Sequence, residues 1–164
     1  MKALSLSYIN EHSPYTIEET SNHEMQFTSD YGVEYRIGFM EDYSIWPENA
    51  YQFLITNKNK KTSPNDLKLK ETILIIIEAF FKANPHILLY ICETGDEKQY
   101  ARNRLFVRWF NESERKAEYY FRDVSICADG IDNFAAIIVQ RNKPDIETII
   151  SQFDEFVSLM NSKP

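Results

Sequence analysis

Three arginines and several acidic residues crowd one short stretch, residues 88–110, LLYICETGDEKQYARNRLFVRWF. A guanidinium cannot shed its charge near neutral pH, so each one needs water, a carbonyl or an anion as partner. Arg102, Arg104 and Arg108, with Glu93 and Asp96 close by in sequence, therefore form the candidate ligand-binding set, and the ligand they suit is anionic. A second set is the lysine-rich loop of Lys58, Lys60 and Lys61, which would attract phosphate and is the candidate cofactor-binding segment. No nucleophile paired with a base and no glycine-rich phosphate loop can be assembled from the sequence, and no catalytic residue is assigned. The three histidines, His12, His23 and His86, have no second ligand at metal spacing, so no metal site is expected.

The elements that must position these residues follow from pattern. Leu88, Leu89, Tyr90, Ile91 and Cys92 form an apolar run without alternation, as in a strand covered on both faces. Thr94 and Glu97 then stand at capping-box spacing, which starts a helix near Gly95 or Asp96. Winding that helix at about 100° per residue puts Leu105, Phe106 and Trp109 on one face, with Ala101 and Phe110 at its margins. Arg104 and Arg108 fall together on the opposite side. Arg102 points between Leu105 and Phe106, toward the face that should be buried, where it either snorkels out, joins a structural ion pair with Glu93 or Asp96, or holds a ligand.

The chain has 164 residues, 43% hydrophobic and 14% aromatic, enough for one domain with a proper core. No apolar run approaches the roughly 20 residues that span a bilayer, and the N-terminus lacks a secretory pattern, so a cytoplasmic protein without a membrane partner is expected. Cys92 and Cys127 lack CxxC spacing and are expected as two buried thiols inside strands. Charge is uneven: residues 1–50 balance at −7, residues 51–115 at +3 and residues 116–164 at −3, within a total of −7. An acidic whole disfavours nucleic acid, whereas a basic middle leaves room for one anionic ligand.

Along the chain, residues 1–23 read as an irregular arm containing Pro14. Alternation then marks a hairpin, with Met25 and Phe27 in one strand, Val33, Tyr35, Ile37 and Phe39 in the next, and Asp30, Tyr31 and Gly32 as the turn. Tyr51, Phe53 and Ile55 continue an antiparallel meander. A helix follows, with Ser63 as cap, Pro64 at its first position, Asp66 in the first turn and Leu69, Ile73, Ile76, Ile77 and Phe80 as its core stripe, ending near Lys82 before Asn84 and Pro85. Residues 117–127 read as a long strand whose apolar parity shifts after Phe121, which implies a bulge. Asp129 and Gly130 turn the chain into the inner strand FAAIIV, residues 134–139. Pro144 and Asp145 open a last helix with Ile146, Ile149, Ile150, Phe153, Phe156 and Met160 at helical spacing.

The expected fold is thus α+β, a single domain with a mixed, mostly antiparallel sheet of about six strands and three helices, in the order βββ-α-β-α-ββ-α. Over residues 24–141 this order resembles the core of the GNAT-type N-acyltransferases. The resemblance implies acyl-CoA between residues 51–56 and residues 86–92, its pyrophosphate at the loop of residues 58–66. That loop lacks the family's Q/R-x-x-G-x-G/A pattern, and no general acid carries over from its Tyr and Gly-Phe patterns. The segments Arg102, Asn103, Arg104, Leu105, Phe106 and Arg108, Trp109, Phe110, together with the hairpin YGVEY of residues 31–35, are similar to a family of small uncharacterised bacterial proteins.

Two functions of different class are compatible with these residues. One is a cytoplasmic, non-catalytic binding or regulatory domain that needs no cofactor and takes a small anionic ligand or a protein partner. The alternative is a divergent acyl-CoA-dependent N-acyltransferase. Whether the chain is an enzyme is left open, and a nucleic-acid partner using Arg104, Arg108, Trp109 and Phe110 is disfavoured by acidity and by the expected burial of Trp109.

Overall fold

A computed structural model describes residues 1–92 and 98–162 of the chain. The fold is α+β, with seven strands and four α-helices among the described residues. The strands are β1 (Glu18–Glu19), β2 (Met25–Thr28), β3 (Glu34–Glu41), β4 (Ala50–Asn57), β5 (Ile87–Ile91), β6 (Tyr119–Ala128) and β7 (Ile131–Gln140). The helices are α1 (Leu6–His12), α2 (Leu67–Ala83), α3 (Gln99–Asn111) and α4 (Ile146–Ser162), with a 3-10 turn at Lys116–Glu118. The expected order holds from β2 onward, and the additional strand and helix both fall in residues 1–23. There α1 is capped by Ser5, whose hydroxyl accepts the Tyr8 N-H at 3.2 Å, and it buries Ile9 completely. A seven-residue helix is too short to show a hydrophobic period, so the arm read as irregular.

Two compact units divide the contacts, Met1–Met40 with Phe53–Pro85, and Glu41–Gln52 with His86–Pro164. In the first, β1, β2 and β3 pair in sequence, and Met25 opposite Ile37 and Phe27 opposite Tyr35 give the register expected of the hairpin. Gly32, at φ 77°, supplies the left-handed residue of its turn. Helix α2 begins later than expected. Asp66 is its cap rather than part of its first turn, accepting the N-H groups of Lys68 at 3.0 Å and Leu69 at 3.3 Å, while the Ser63 hydroxyl donates to the Pro64 carbonyl. Ile73, Ile76, Ile77 and Phe80 are buried on its inner side.

In the second unit β7 lies between β5 and β6, paired antiparallel to both. Asp129 at φ 54° and Gly130 at φ 75° form the two-residue turn of the β6–β7 hairpin. The register runs without interruption from Tyr119 opposite Gln140 to Ala128 opposite Ile131, so the expected bulge is absent. The parity shift has another cause: β6 is covered on both faces by different helices. Tyr119 and Phe121 meet Phe110 of α3, whereas Tyr120 and Val124 pack against the cluster of Ile137, Val139, Ile149, Phe153 and Val157 that α4 closes. The thiols also differ from expectation. Cys92 is buried just beyond β5, but Cys127, near the tip of the β6–β7 hairpin, is exposed.

Candidate functional site

Helix α3 carries three of the predicted site residues, and the structure separates them. Its inner face is an aromatic layer: Phe106 stacks on Tyr90 at 4.0 Å between ring centroids, and Phe110 on Phe121 at 4.5 Å. Trp109 is buried as expected. The buried face is rotated from the expected one, since Asn103 is 8% exposed while Ala101 is exposed and Leu105 half-buried. Asn103, Phe106 and Phe110 form an i, i+3, i+7 stripe whose first member is polar. Asn103 is accommodated there because its amide donates to Asp123 Oδ2 of β6, a long bond at 3.5 Å.

Arg104 and Arg108, one turn apart and both exposed, line an open groove of about 450 Å³ between the outer side of α3 and β6. Asn103, Asn111, Glu112 and Asp123 complete its polar lining, and Val107 is its apolar member. Among the described residues, neither guanidinium enters an ion pair or a hydrogen bond. The groove therefore presents two uncommitted cations and two amides beside two carboxylates. Such a set can hold an anionic group through charge-assisted bonds, and its carboxylates would orient a ligand that also carries a donor.

Arg102 does not share this groove. It is half-buried on the inner side of α3, between Phe106 and Trp109 in helical direction, and its charge acts on Cys92 at the end of β5. Burial pushes the Cys92 thiol above its ordinary value, while a Tyr90 hydrogen bond and the Arg102 guanidinium pull it partly back. Glu93 and Asp96, proposed as partners of Arg102, lie outside the described residues, as do Thr94 and Glu97 of the capping box. The described helix opens at Gln99, with Lys98 at the cap position and no side-chain cap bond, and the expected start at Gly95 or Asp96 lies outside the described residues.

The lysine loop belongs to the first unit, whereas α3 belongs to the second. Lys58, Lys60 and Lys61 are exposed, and the loop closes on itself. The Asn57 amide donates to the Lys61 carbonyl at 2.9 Å, its oxygen accepts the Lys60 N-H at 2.8 Å, and the Asn59 amide donates to the Gly32 carbonyl at 2.8 Å. The N-terminus of α2 is filled by Asp66, which also accepts a bond from the Tyr15 hydroxyl at 2.6 Å. Burial and that bond to Asp66 push the Tyr15 hydroxyl up to about 12.

Asn103, Asn111 and Asp123 were not anticipated. The only sequence signal for Asn103 is a polar residue on an aromatic stripe, and for Asp123 it is a charge midway along a strand.

Residues 65–155, more than half of the chain and including all of α3 and β6, match a family of unknown function (DUF6169). The chain belongs to that family. No curated protein and no solved structure matches it. Among the described residues no helix is long and apolar enough to cross a membrane, and no group of three or more His, Cys, Asp or Glu side chains is placed to hold a metal ion.

Proposed function

We propose that this is a non-catalytic binding or regulatory domain whose α3–β6 groove receives an anionic group, either of a small ligand or of a protein partner. The observation that carries this reading is the pair of exposed, uncommitted guanidiniums of Arg104 and Arg108 on one groove. Two arginines one turn apart repel each other weakly in the empty protein and are relieved by a shared anion. This binding needs no cofactor. Two free cysteines, Cys92 and Cys127, support a reducing cytoplasmic setting.

The divergent acyltransferase, with acyl-CoA at Lys58, Lys60 and Lys61, draws less support. Its phosphate position at the α2 N-terminus meets the carboxylate of Asp66, which already takes two of the first backbone donors. Calorimetric unfolding with phosphate, sulfate and a dicarboxylate tests the preferred reading. The expected result is stabilisation that grows with anion concentration in the wild type and disappears in Arg104→Ala/Arg108→Ala. An equal response in both proteins would remove the groove as the site.

A further inference from the structure

Among the described residues β6 is the last strand of its sheet, paired with β7 on one side only. In an antiparallel ladder alternate residues turn both backbone groups toward the neighbour, and the others turn theirs away. The odd-numbered residues of β6 face outward: the Cys127 N-H donates to Asn161 Oδ1 at 3.1 Å, and the Ser125 carbonyl accepts from Asn161 Nδ2 at 3.3 Å. Asn161 of α4 thus closes the hairpin end of this edge. Further along, the same alternation leaves the N-H and C=O of Phe121 and Asp123 pointing outward, and among the described residues nothing pairs with them. The open stretch ends at the 3-10 turn of Lys116–Glu118. It is a slot of bounded length, flanked by the groove that Arg104 and Arg108 line.

We infer that β6 accepts an extended acidic peptide as an added strand, with a carboxylate side chain reaching Arg104 and Arg108. This rests on the groove reading above and names its ligand class. Main-chain bonds to Phe121 and Asp123 supply affinity without regard to sequence, and the two arginines select for acidic side chains on the α3 side. Charge argues against a second copy of this chain as occupant. Two β6 edges paired about a two-fold axis would set both α3 helices on one face, bringing like-charged arginines toward each other.

The test is hydrogen exchange on the full chain, with and without a peptide of alternating valine and glutamate about six residues long. Fluorescence anisotropy measures the affinity in parallel. The expected result is that the Phe121 and Asp123 amides slow by about tenfold or more, and that Arg104→Ala/Arg108→Ala weakens binding by about tenfold or more. A valine and lysine counterpart should bind more weakly than the acidic peptide. Absence of binding, or binding that leaves those two amides unchanged, would overturn the proposal. Slowing that is equal in the double variant would overturn the acidic occupant, and slowing that depends on protein concentration without peptide would make the occupant a second copy. If phosphate still stabilises through Arg104 and Arg108 while the peptide leaves the amides unchanged, the groove reading stands and the added strand falls.

Discussion

In the first unit, Tyr15 donates to Asp66, Lys68 bonds Asp30, Tyr8 donates to Glu78, and Asn84 both accepts from and donates to the backbone of Lys2. Each of these groups ends on another group of the same unit. Along the outer side of α3 in the second unit, Arg104 and Arg108 have no ion pair or hydrogen bond among the described residues, and two residues of the neighbouring β6 likewise keep backbone groups open. Polar groups consumed in closed networks hold structure, because removing one member strands its partner. Polar groups left uncommitted on an open groove cost the fold little when lost, which is what a ligand site permits.

The largest effect should come from breaking the frame on which the second unit presents its groove. Phe153 of α4 is 3% exposed and packs with Ile137, Val139 and Val157. Phe153→Ala should cost about 3–5 kcal/mol in chemical denaturation, and truncation before Asp145 should leave an insoluble or unfolded chain. A soluble truncated protein with a cooperative transition would show that α4 is an appended arm and that β6 is supported from elsewhere.

That helix was legible in the sequence because its apolar period runs over four turns, and the FAAIIV strand because nothing polar interrupts it. The α3 face was legible only to within a fraction of a turn. Asn103 sits on the buried stripe because Asp123 lies opposite, and a partner twenty residues away leaves no trace in local spacing. For the same reason the shift of parity in β6 suggested a bulge. Two covering helices on opposite faces produce the same residue pattern as an extra residue, and only the register distinguishes them. The set Arg102, Arg104 and Arg108 was found by composition, but composition cannot say that one of the three turns inward.

A smaller effect probes the closed network of the first unit. Tyr15→Phe removes the donor to Asp66 and the acceptor of the Asp30 N-H, bonded at 3.1 Å. The expected loss is about 1–3 kcal/mol. It should also change the response to alkali. An unfolded tyrosine ionises near 10, whereas the folded Tyr15 keeps its proton until about 12. A raised value means that the contribution is whole below the unfolded value and is lost as pH climbs from 10 toward 12. Stability of the wild type should therefore fall more steeply over that window than stability of Tyr15→Phe. Parallel curves would mean that the Tyr15 bond to Asp66 does not discriminate between ionisation states.

The smallest effect separates Arg102 from its two neighbours on α3. Arg102 is half-buried and its charge favours the Cys92 thiolate, whereas Arg104 and Arg108 lie exposed on the groove. Arg102→Ala should cost less than the roughly 3–5 kcal/mol typical of breaking a fully buried pair, since water reaches part of the side chain. Its signature is chemical: with the cation removed, burial acts on Cys92 unopposed by it, and the thiol should ionise at still higher pH. Thiolate absorbance followed against pH in a Cys127→Ser background would measure this, and the midpoint should rise in Arg102→Ala while Arg104→Ala leaves it unchanged. Anion-dependent stabilisation should behave in the opposite manner, surviving Arg102→Ala and vanishing when Arg104 and Arg108 are both removed. If Arg102→Ala also abolished the anion response, the three arginines would form one site after all, and the division between an inward and an outward set on this helix would be wrong.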